Sequence, residues 1–182
     1  MKAKTLFLDR DGVLNSLIIK NDELPRSPRY SHELNFLPGT FAALTRAKVK
    51  GFQIYVVTNQ PDIEKGLISE EENELINIKV KSTFPQINEI YVCSHTQVSN
   101  CLCRKPKPGL ILNSDIYPNI DFSHAWMIGD RWVDIAAGAS ANLKTILIEN
   151  EFSWKTTTTG TPNFDLKPLY KVSNLEEAVD LI

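Results

Sequence analysis

Five short apolar runs recur along the chain without alternation: Thr5–Leu8, Gln53–Thr58, Ile90–Val92, Trp126–Ile128 and Thr145–Ile148. A strand with one face in water alternates apolar and polar residues. An unbroken run suits a strand covered on both faces, as in a parallel sheet. Segments of helical period lie between the runs. Thr40–Lys50 carries Phe41, Leu44 and Ala47 on one face and is followed by Gly51. Ser69-Glu70-Glu71-Glu72 is a capping box that opens a helix with Leu75, Ile76 and Ile78 as its apolar set. Pro108 suits the first turn of a helix reaching about Asp115, and Trp132–Ala141 reads as a helix with Ile135, Ala136 and Ala139 inward. Ser173-Asn174-Leu175-Glu176 is a second capping box before a short C-terminal helix. Strand and helix in alternation predict an α/β fold, Rossmann-like and doubly wound, with a mostly parallel sheet.

The 182 residues fit one domain spanning 1–182, large enough to bury a core. A net charge of -2 argues against nucleic acid or a membrane surface as partner. The first apolar stretch ends at Asp9, too soon for a signal peptide, and no run is long enough to span a membrane. A cytoplasmic monomer that binds a small molecule is the expectation. Two stretches are irregular: Asn15–Pro38, with three prolines, and Glu149–Pro168, with four threonines at Thr156–Thr159. The threonine stretch reads as a surface excursion.

Four strand ends carry polar groups. Asp9 and Asp11 follow the first run, and Gly12 permits a sharp turn there. Two acids this close need a cation, a shared proton or divergent directions, and a magnesium ion takes such oxygens together with substrate phosphate. Thr58 and Asn59 end the second run with a hydroxyl and an amide that can donate to phosphate oxygens. Arg104, Lys105 and Lys107 precede a helix start, where backbone N–H groups also favour anions. Asp130 ends the fourth run, and Asp134 lies one helical turn later on the same face. Each alone has an ordinary reading as turn or cap chemistry. Together, in an open α/β sheet, they converge on the carboxyl ends of the strands, where ligands bind.

All three cysteines fall within eleven positions, as Cys93-Ser94-His95 and Cys101-Leu102-Cys103. Three thiolates and one imidazole suffice for a closed tetrahedral structural zinc. Such an ion would pin a short loop and aim Arg104 and Lys105 at the pocket. His32 and His124 have no obvious partners and are read as non-ligands.

The four segments, in this order, resemble the haloacid dehalogenase superfamily of phosphohydrolases. The similarity is to its zinc-carrying branch, which holds the heptose-bisphosphate phosphatases and the histidinol-phosphate phosphatases, and it runs from Leu6 to about Ile148. The resemblance implies that Asp9 is the nucleophile that becomes an aspartyl phosphate. Asp11 would be the acid that protonates the leaving oxygen and then activates water. Thr58 and Asn59 would hold phosphate, Lys105 would stabilise charge, and Asp130 would bind magnesium with Asp9 and the backbone carbonyl of Asp11. Asp134 would support the ligands from behind. A proton donor of this kind works best with a raised pKa. That branch usually follows Thr-Asn-Gln with Ser-Gly-Ile-Ala-Arg-Gly, whereas Pro61-Asp62-Ile63-Glu64-Lys65-Gly66 stands here. Arg131 stands where lysine is frequent. No cap domain is expected, so loops would select the substrate. Arg104, Arg131, Lys107 and Arg26 or Arg29 are candidates for a second anionic group. The leading expectation is a sugar bisphosphate, first a heptose. Histidinol phosphate, a nucleic-acid 3′-phosphate and a non-catalytic zinc-stabilised binding module are the alternatives.

Overall fold

The computed structural model describes residues 2–19, 25–155 and 160–182. Among the described residues six strands form one sheet: β1 (Ala3–Leu8), β2 (Gln53–Asn59), β3 (Ile87–Cys93), β4 (Ile120–Gly129), β5 (Lys144–Ile148) and β6 (Tyr170–Val172). Their order is β3-β2-β1-β4-β5-β6, and all five pairings are parallel. β6 is the edge strand that the C-terminal stretch adds. Helices α1 (Thr40–Val49), α2 (Glu70–Thr83), α3 (Gly109–Leu112), α4 (Trp132–Ser140) and α5 (Leu175–Asp180) connect or flank the strands. Among the described residues no helix is long and apolar enough to cross a membrane.

The register explains the unbroken apolar runs. Leu6 lies beside Ile54 and Trp126, and Phe7 beside Tyr55 and Met127. Leu6, Leu8, Ile54, Val56 and Ile128 pack against Leu44 and Ala47 of α1, Ile76 and Val80 of α2, and Leu175 and Val179 of α5. Phe7, Tyr55, Val57 and Met127 pack on the opposite face with Ile111, Ala141 and Leu143. Both sheet faces are therefore covered, which is why the runs are apolar without alternation. Connections leave β1 toward β2 on one side, while β4 lies on the other. This is the point where the strand order reverses, and ligands in such sheets bind in the crevice outside it. Asp9 and Asp130 flank that crevice.

The helix faces differ from the expectation. Leu75 and Ile78 of α2 are half exposed, whereas Asn73, Ile76, Asn77 and Val80 are buried. Phe41 is likewise exposed, and α1 buries Thr40, Ala43, Leu44 and Ala47. In α4, Ile135 is buried as expected, but Ala139 is exposed and Ala137 and Gly138 face the sheet. Two buried asparagines on α2 are the reason for its misreading, since they serve a polar partner described below. α3 is only four residues long, and Asn174 rather than Ser173 caps α5, accepting from the Glu177 N–H at 2.9 Å. The Ser69 cap forms as expected, accepting from the Glu72 N–H at 3.1 Å.

The observed face of α2 makes a direct prediction. Ile76→Ala is expected to cost about 2–4 kcal/mol in urea unfolding, while Ile78→Ala stays within about 0.5 kcal/mol. Equal costs would contradict this register.

Candidate active site

The end of β1 delivers Asp9 to the floor of a cleft of about 320 Å³. Its backbone N–H donates to the Ile128 carbonyl at 3.0 Å, which fixes it beside the end of β4. Its side chain remains 13% exposed, enough to be reached from the cleft. Asp9 Oδ1 accepts the Arg10 N–H at 2.7 Å and lies 3.0 Å from Lys105 Nζ. The same ammonium lies 2.6 Å from Asp134 Oδ1 and donates to the Val57 carbonyl at 2.7 Å. Lys105 is thus enclosed by oxygens from the ends of β1 and β2 and from α4. Burial works against its charge, but Asp134 and Asp9 hold its pKa above the ordinary lysine value.

Asp130 is fully buried, and its carboxylate lies against Gly12, where a β-carbon would sit 2.3 Å from Oδ2. Gly12 also has φ +91, so both its conformation and the contact require glycine. Asp134 accepts the Arg131 N–H on Oδ2 at 3.0 Å, which ties the start of α4 to the site. Carboxylate oxygens of Asp9, Asp130 and Asp134 all lie within 4.8 Å of one another. Burial first, then Asp134 and Asp9, push the Asp130 carboxyl well above its usual range. Burial also raises Asp9. Lys105 draws it down, Asp134 and Asp11 push it further up, and the result is about 7. One ammonium is too little charge for three clustered carboxylates. The oxygen-only donor set and the unpartnered, buried Asp130 Oδ1 fit a hard divalent ion such as magnesium.

Asp11 points elsewhere. Arg10, with no exposed surface, donates from Nε to Asp11 Oδ1 and from Nη2 to Oδ2, both at 3.2 Å. Arg10 Nη1 donates to Asn77 Oδ1 at 2.8 Å and Asn73 Oδ1 at 3.3 Å, which accounts for the asparagines on the inner face of α2. Asn15 donates to Asp11 Oδ1 at 2.9 Å and Gln60 to Oδ2 at 2.7 Å. Burial would raise the Asp11 carboxyl, but Arg10, Asn15 and Gln60 together hold it below the usual range. The sequence led us to expect a raised acid here. The saturated shell of donors reverses that direction.

The remaining expected residues divide by partner. Thr58 Oγ1 lines the cleft and accepts from Gln60 Nε2 at 2.8 Å. Asn59 uses its amide on the backbone of Lys105, donating to the carbonyl at 3.0 Å and accepting the N–H at 3.1 Å. Arg104 and Arg131 line the cleft, and each has a buried Nε without a partner. Arg26 also lines it but makes a two-nitrogen pair with Glu33, at 2.9 and 2.7 Å. Arg29 is bonded to Asp62. Lys107 does not line the cleft; it donates to Asn100 and to the Cys101 carbonyl, bracing the cysteine loop.

In that loop Cys93, His95, Cys101 and Cys103 gather donor atoms within 4.8 Å of one another, so they could hold one metal ion. The sulfurs stand 3.1–3.7 Å apart and are not bonded to each other. Arg104 Nη1 donates to the His95 carbonyl at 3.0 Å, and Glu64 accepts from the Thr96 N–H and the Ser99 hydroxyl. The loop and the cleft are therefore one connected unit.

Sequence reasoning missed the turn after β5. Asn150 Nδ2 donates to Asp130 Oδ2 at 3.2 Å, Asn150 N–H donates to Ser153 Oγ at 2.9 Å, and Ser153 Oγ donates to the Asp130 carbonyl at 2.6 Å. Asn-x-x-Ser is a common turn pattern, and nothing local points it at residue 130. Thr156–Thr159 lie outside the described residues.

Comparisons with known proteins bear on the family and the fold. A HAD-hydrolase-like family model matches residues 102–178. D-glycero-β-D-manno-heptose-1,7-bisphosphate 7-phosphatase of Helicobacter pylori is 35% identical over 154 residues, covering 81% of this chain and 85% of that one. The D-glycero-α-D-manno-heptose-1,7-bisphosphate 7-phosphatase of Campylobacter jejuni is 32% identical over 156 residues, covering 83% and 85%. The crystal structure of the D,D-heptose 1,7-bisphosphate phosphatase of B. bronchiseptica, complexed with magnesium and phosphate, superposes with a TM-score of 0.77 at 22% identity, covering 98% and 97%. That last likeness establishes the fold. The chain belongs to the haloacid dehalogenase superfamily of phosphatases, in the heptose-1,7-bisphosphate 7-phosphatase family.

The Asn150 contact is testable apart from turnover. Asn150→Ala is expected to weaken magnesium binding by about tenfold in calorimetric titration. An unchanged affinity would show that Asp130 is held without it.

Proposed function

We propose that the chain is a magnesium-dependent phosphomonoester hydrolase that takes a phosphoryl group onto Asp9 from a sugar bisphosphate of the heptose 1,7-bisphosphate class. The observation that carries this reading is the cleft floor: a reachable carboxylate, Asp9, beside a buried ammonium, Lys105, and two further buried carboxylates. The relatives' substrates support the sugar bisphosphate. Asp9 and Asp130, with the backbone carbonyl of Asp11, would hold magnesium, with Asp134 behind them; when bound, the ion neutralises charge on the transferring phosphoryl oxygens.

Phosphoryl transfer needs in-line positioning and charge neutralisation more than covalent ingenuity. An Asp9 carboxylate oxygen attacks phosphorus, the ester P–O bond breaks, and the leaving oxygen takes the proton of the Asp11 carboxyl. Water then attacks the aspartyl phosphate and gives its proton to Asp11. The bond between phosphorus and Asp9 breaks, inorganic phosphate leaves, and the Asp9 carboxylate is restored. Lys105 stays charged beside Asp9 throughout. Thr58 donates its hydroxyl to a phosphoryl oxygen, and Asn59 acts through the Lys105 backbone. Bound to Arg10, Asp11 is a carboxylate, the form that the second half requires. Donation in the first half requires it to carry a proton and turn from Arg10 toward the ester oxygen. Arg104 and Arg131 bind the second anionic group.

Cys93, His95, Cys101 and Cys103 would hold a structural zinc. Three sulfurs 3.1–3.7 Å apart with the His95 ring beside them make the donor set of a closed structural site. Held in this way, the loop keeps Arg104 and Lys105 aimed at the cleft.

Phosphate release from both anomers of heptose 1,7-bisphosphate, other sugar bisphosphates, histidinol phosphate and a 3′-phosphorylated oligonucleotide tests the substrate class. Heptose bisphosphate should lead by kcat/KM. Asp9→Asn should lower kcat by about 10⁴-fold or more, and quenched wild-type enzyme should carry a phosphoryl group on Asp9 by mass spectrometry. Activity surviving in Asp9→Asn excludes the covalent route. Elemental analysis should find about one zinc per chain, lost in Cys103→Ser.

A further inference from the structure

The cations that line the cleft are not equivalent. On one wall, Arg104 and Arg131 form no ion pair among the described residues. On the facing loops, Arg29 and Lys65 are both taken by one carboxylate. Arg29 Nε and Nη2 each lie 2.8 Å from Asp62 Oδ2, and Lys65 Nζ lies 3.1 Å from Asp62 Oδ1. Each oxygen of Asp62 thus faces one cation, and all three side chains line the cavity that holds Asp9. Asp62 is 16% exposed, while Arg29 and Lys65 are 30% and 43% exposed, so the cations remain within reach of a solute in the cleft.

From this partition we infer that Asp62 is a specificity-determining residue: it withdraws Arg29 and Lys65 from substrate binding and confines recognition of the second phosphate to the wall of Arg104 and Arg131. The inference rests on the bisphosphate reading above. An anion entering between the walls meets a carboxylate already seated on the cations of one side. It would have to displace Asp62, which leaves a carboxylate without partners beside a dianion, and like charges this close disfavour the wrong pose. On the other wall no paired carboxylate has to be displaced; Arg104 keeps only the neutral His95 carbonyl. Asp62 is an ionised competitor at neutral pH: burial raises its pKa, but hydrogen bonds from Arg29 and Lys65 hold it below the usual range. It also bridges the loop carrying Arg29 to the loop after β2. A purely structural role would be carried by that bridge, and a specificity role by the negative charge.

Asp62→Asn separates the two, because the amide carbonyl still accepts from Arg29 while the charge is gone. For the bisphosphate, KM is expected to fall about fivefold, the size of one exposed ion pair released to the ligand, and the effect should lie in KM rather than kcat. The matching monophosphate, which lacks the second anion, should shift by less than about twofold. In the Arg104→Ala background, Asp62→Asn should restore part of the lost bisphosphate affinity, since Arg29 and Lys65 then become available. An unchanged or raised KM for the bisphosphate, or an equal fall for both substrates, overturns the inference. Calorimetric binding of pyrophosphate to wild type and Asp62→Asn keeps this distinct from the substrate assignment. If no sugar phosphate is turned over yet pyrophosphate still tightens about fivefold, the proposed function fails while the role of Asp62 stands. Unchanged pyrophosphate binding in that case overturns both.

Discussion

The Lys105 ammonium holds the rest of the site in register. It is buried against Asp9 from the end of β1, Asp134 from α4 and the Val57 carbonyl near the end of β2. Breaking a buried ion pair by removing one partner leaves an uncompensated charge, at a cost of about 3–5 kcal/mol. Here one cation serves two carboxylates, so two orphaned charges would result. Its backbone is fixed as firmly as its side chain, because Asn59 holds both the Lys105 N–H and its carbonyl. The loop before Lys105 carries the four metal-donor side chains, and Arg104 returns to that loop through the His95 carbonyl. The cysteine loop, two strand ends and a helix therefore meet at one nitrogen.

The acids are then distinguished by their neighbours rather than by their chemistry. Asp9, Asp130 and Asp134 share a space too crowded in negative charge for Lys105 alone. Asp11, two residues from Asp9, is drawn out of that space by Arg10, Asn15 and Gln60. Two carboxylates at the end of one strand thus acquire opposite tendencies: Asp9 is pushed up to about 7 and Asp11 is held down. Taken alone, these directions run opposite to the proposed roles, since a proton donor works best with the higher pKa; a cation held by Asp9 and Asp130 would draw Asp9 back toward the carboxylate that attacks. Asn73 and Asn77 of α2 extend this arrangement beyond the cleft, because they fix the guanidinium that fixes Asp11.

The strands were legible in the sequence because a parallel sheet covered on both faces leaves uninterrupted apolar runs. The strand-end groups were legible for a related reason: Asp9, Thr58 and Asp130 lie at the ends of such runs, and although each has an ordinary turn or cap reading, the parallel sheet brings all three to one cleft. The helix faces were not. On α2 the residues that point inward include Asn73 and Asn77, while Leu75 and Ile78 face outward, so apolar periodicity selects the wrong stripe. Contacts between distant segments were also hidden. Asn150 reaches Asp130 across 20 positions and Asn77 reaches Arg10 across 67, with no pattern to connect them. Counting cations near the cleft suggested Arg26 and Arg29 as available, but ion pairing depends on which carboxylates the fold brings alongside, and Glu33 and Asp62 occupy them.

The same dependence governs the cleft as a whole. Its loops are tied by polar contacts: Arg29 to Asp62, Glu64 to Thr96 and Ser99, and Arg104 to His95. Such contacts contribute little individually to stability when exposed, so their effect is better sought in geometry and charge. A cleft walled by apolar packing would keep its shape whatever its charge. A cleft walled by ion pairs changes both its shape and its potential when an anion enters. Under the role inferred for Asp62, substrate choice on this scaffold follows from which of those pairs an incoming phosphate can replace. The sheet sets where phosphoryl transfer takes place, and the charge pattern of the loops sets what is admitted to it.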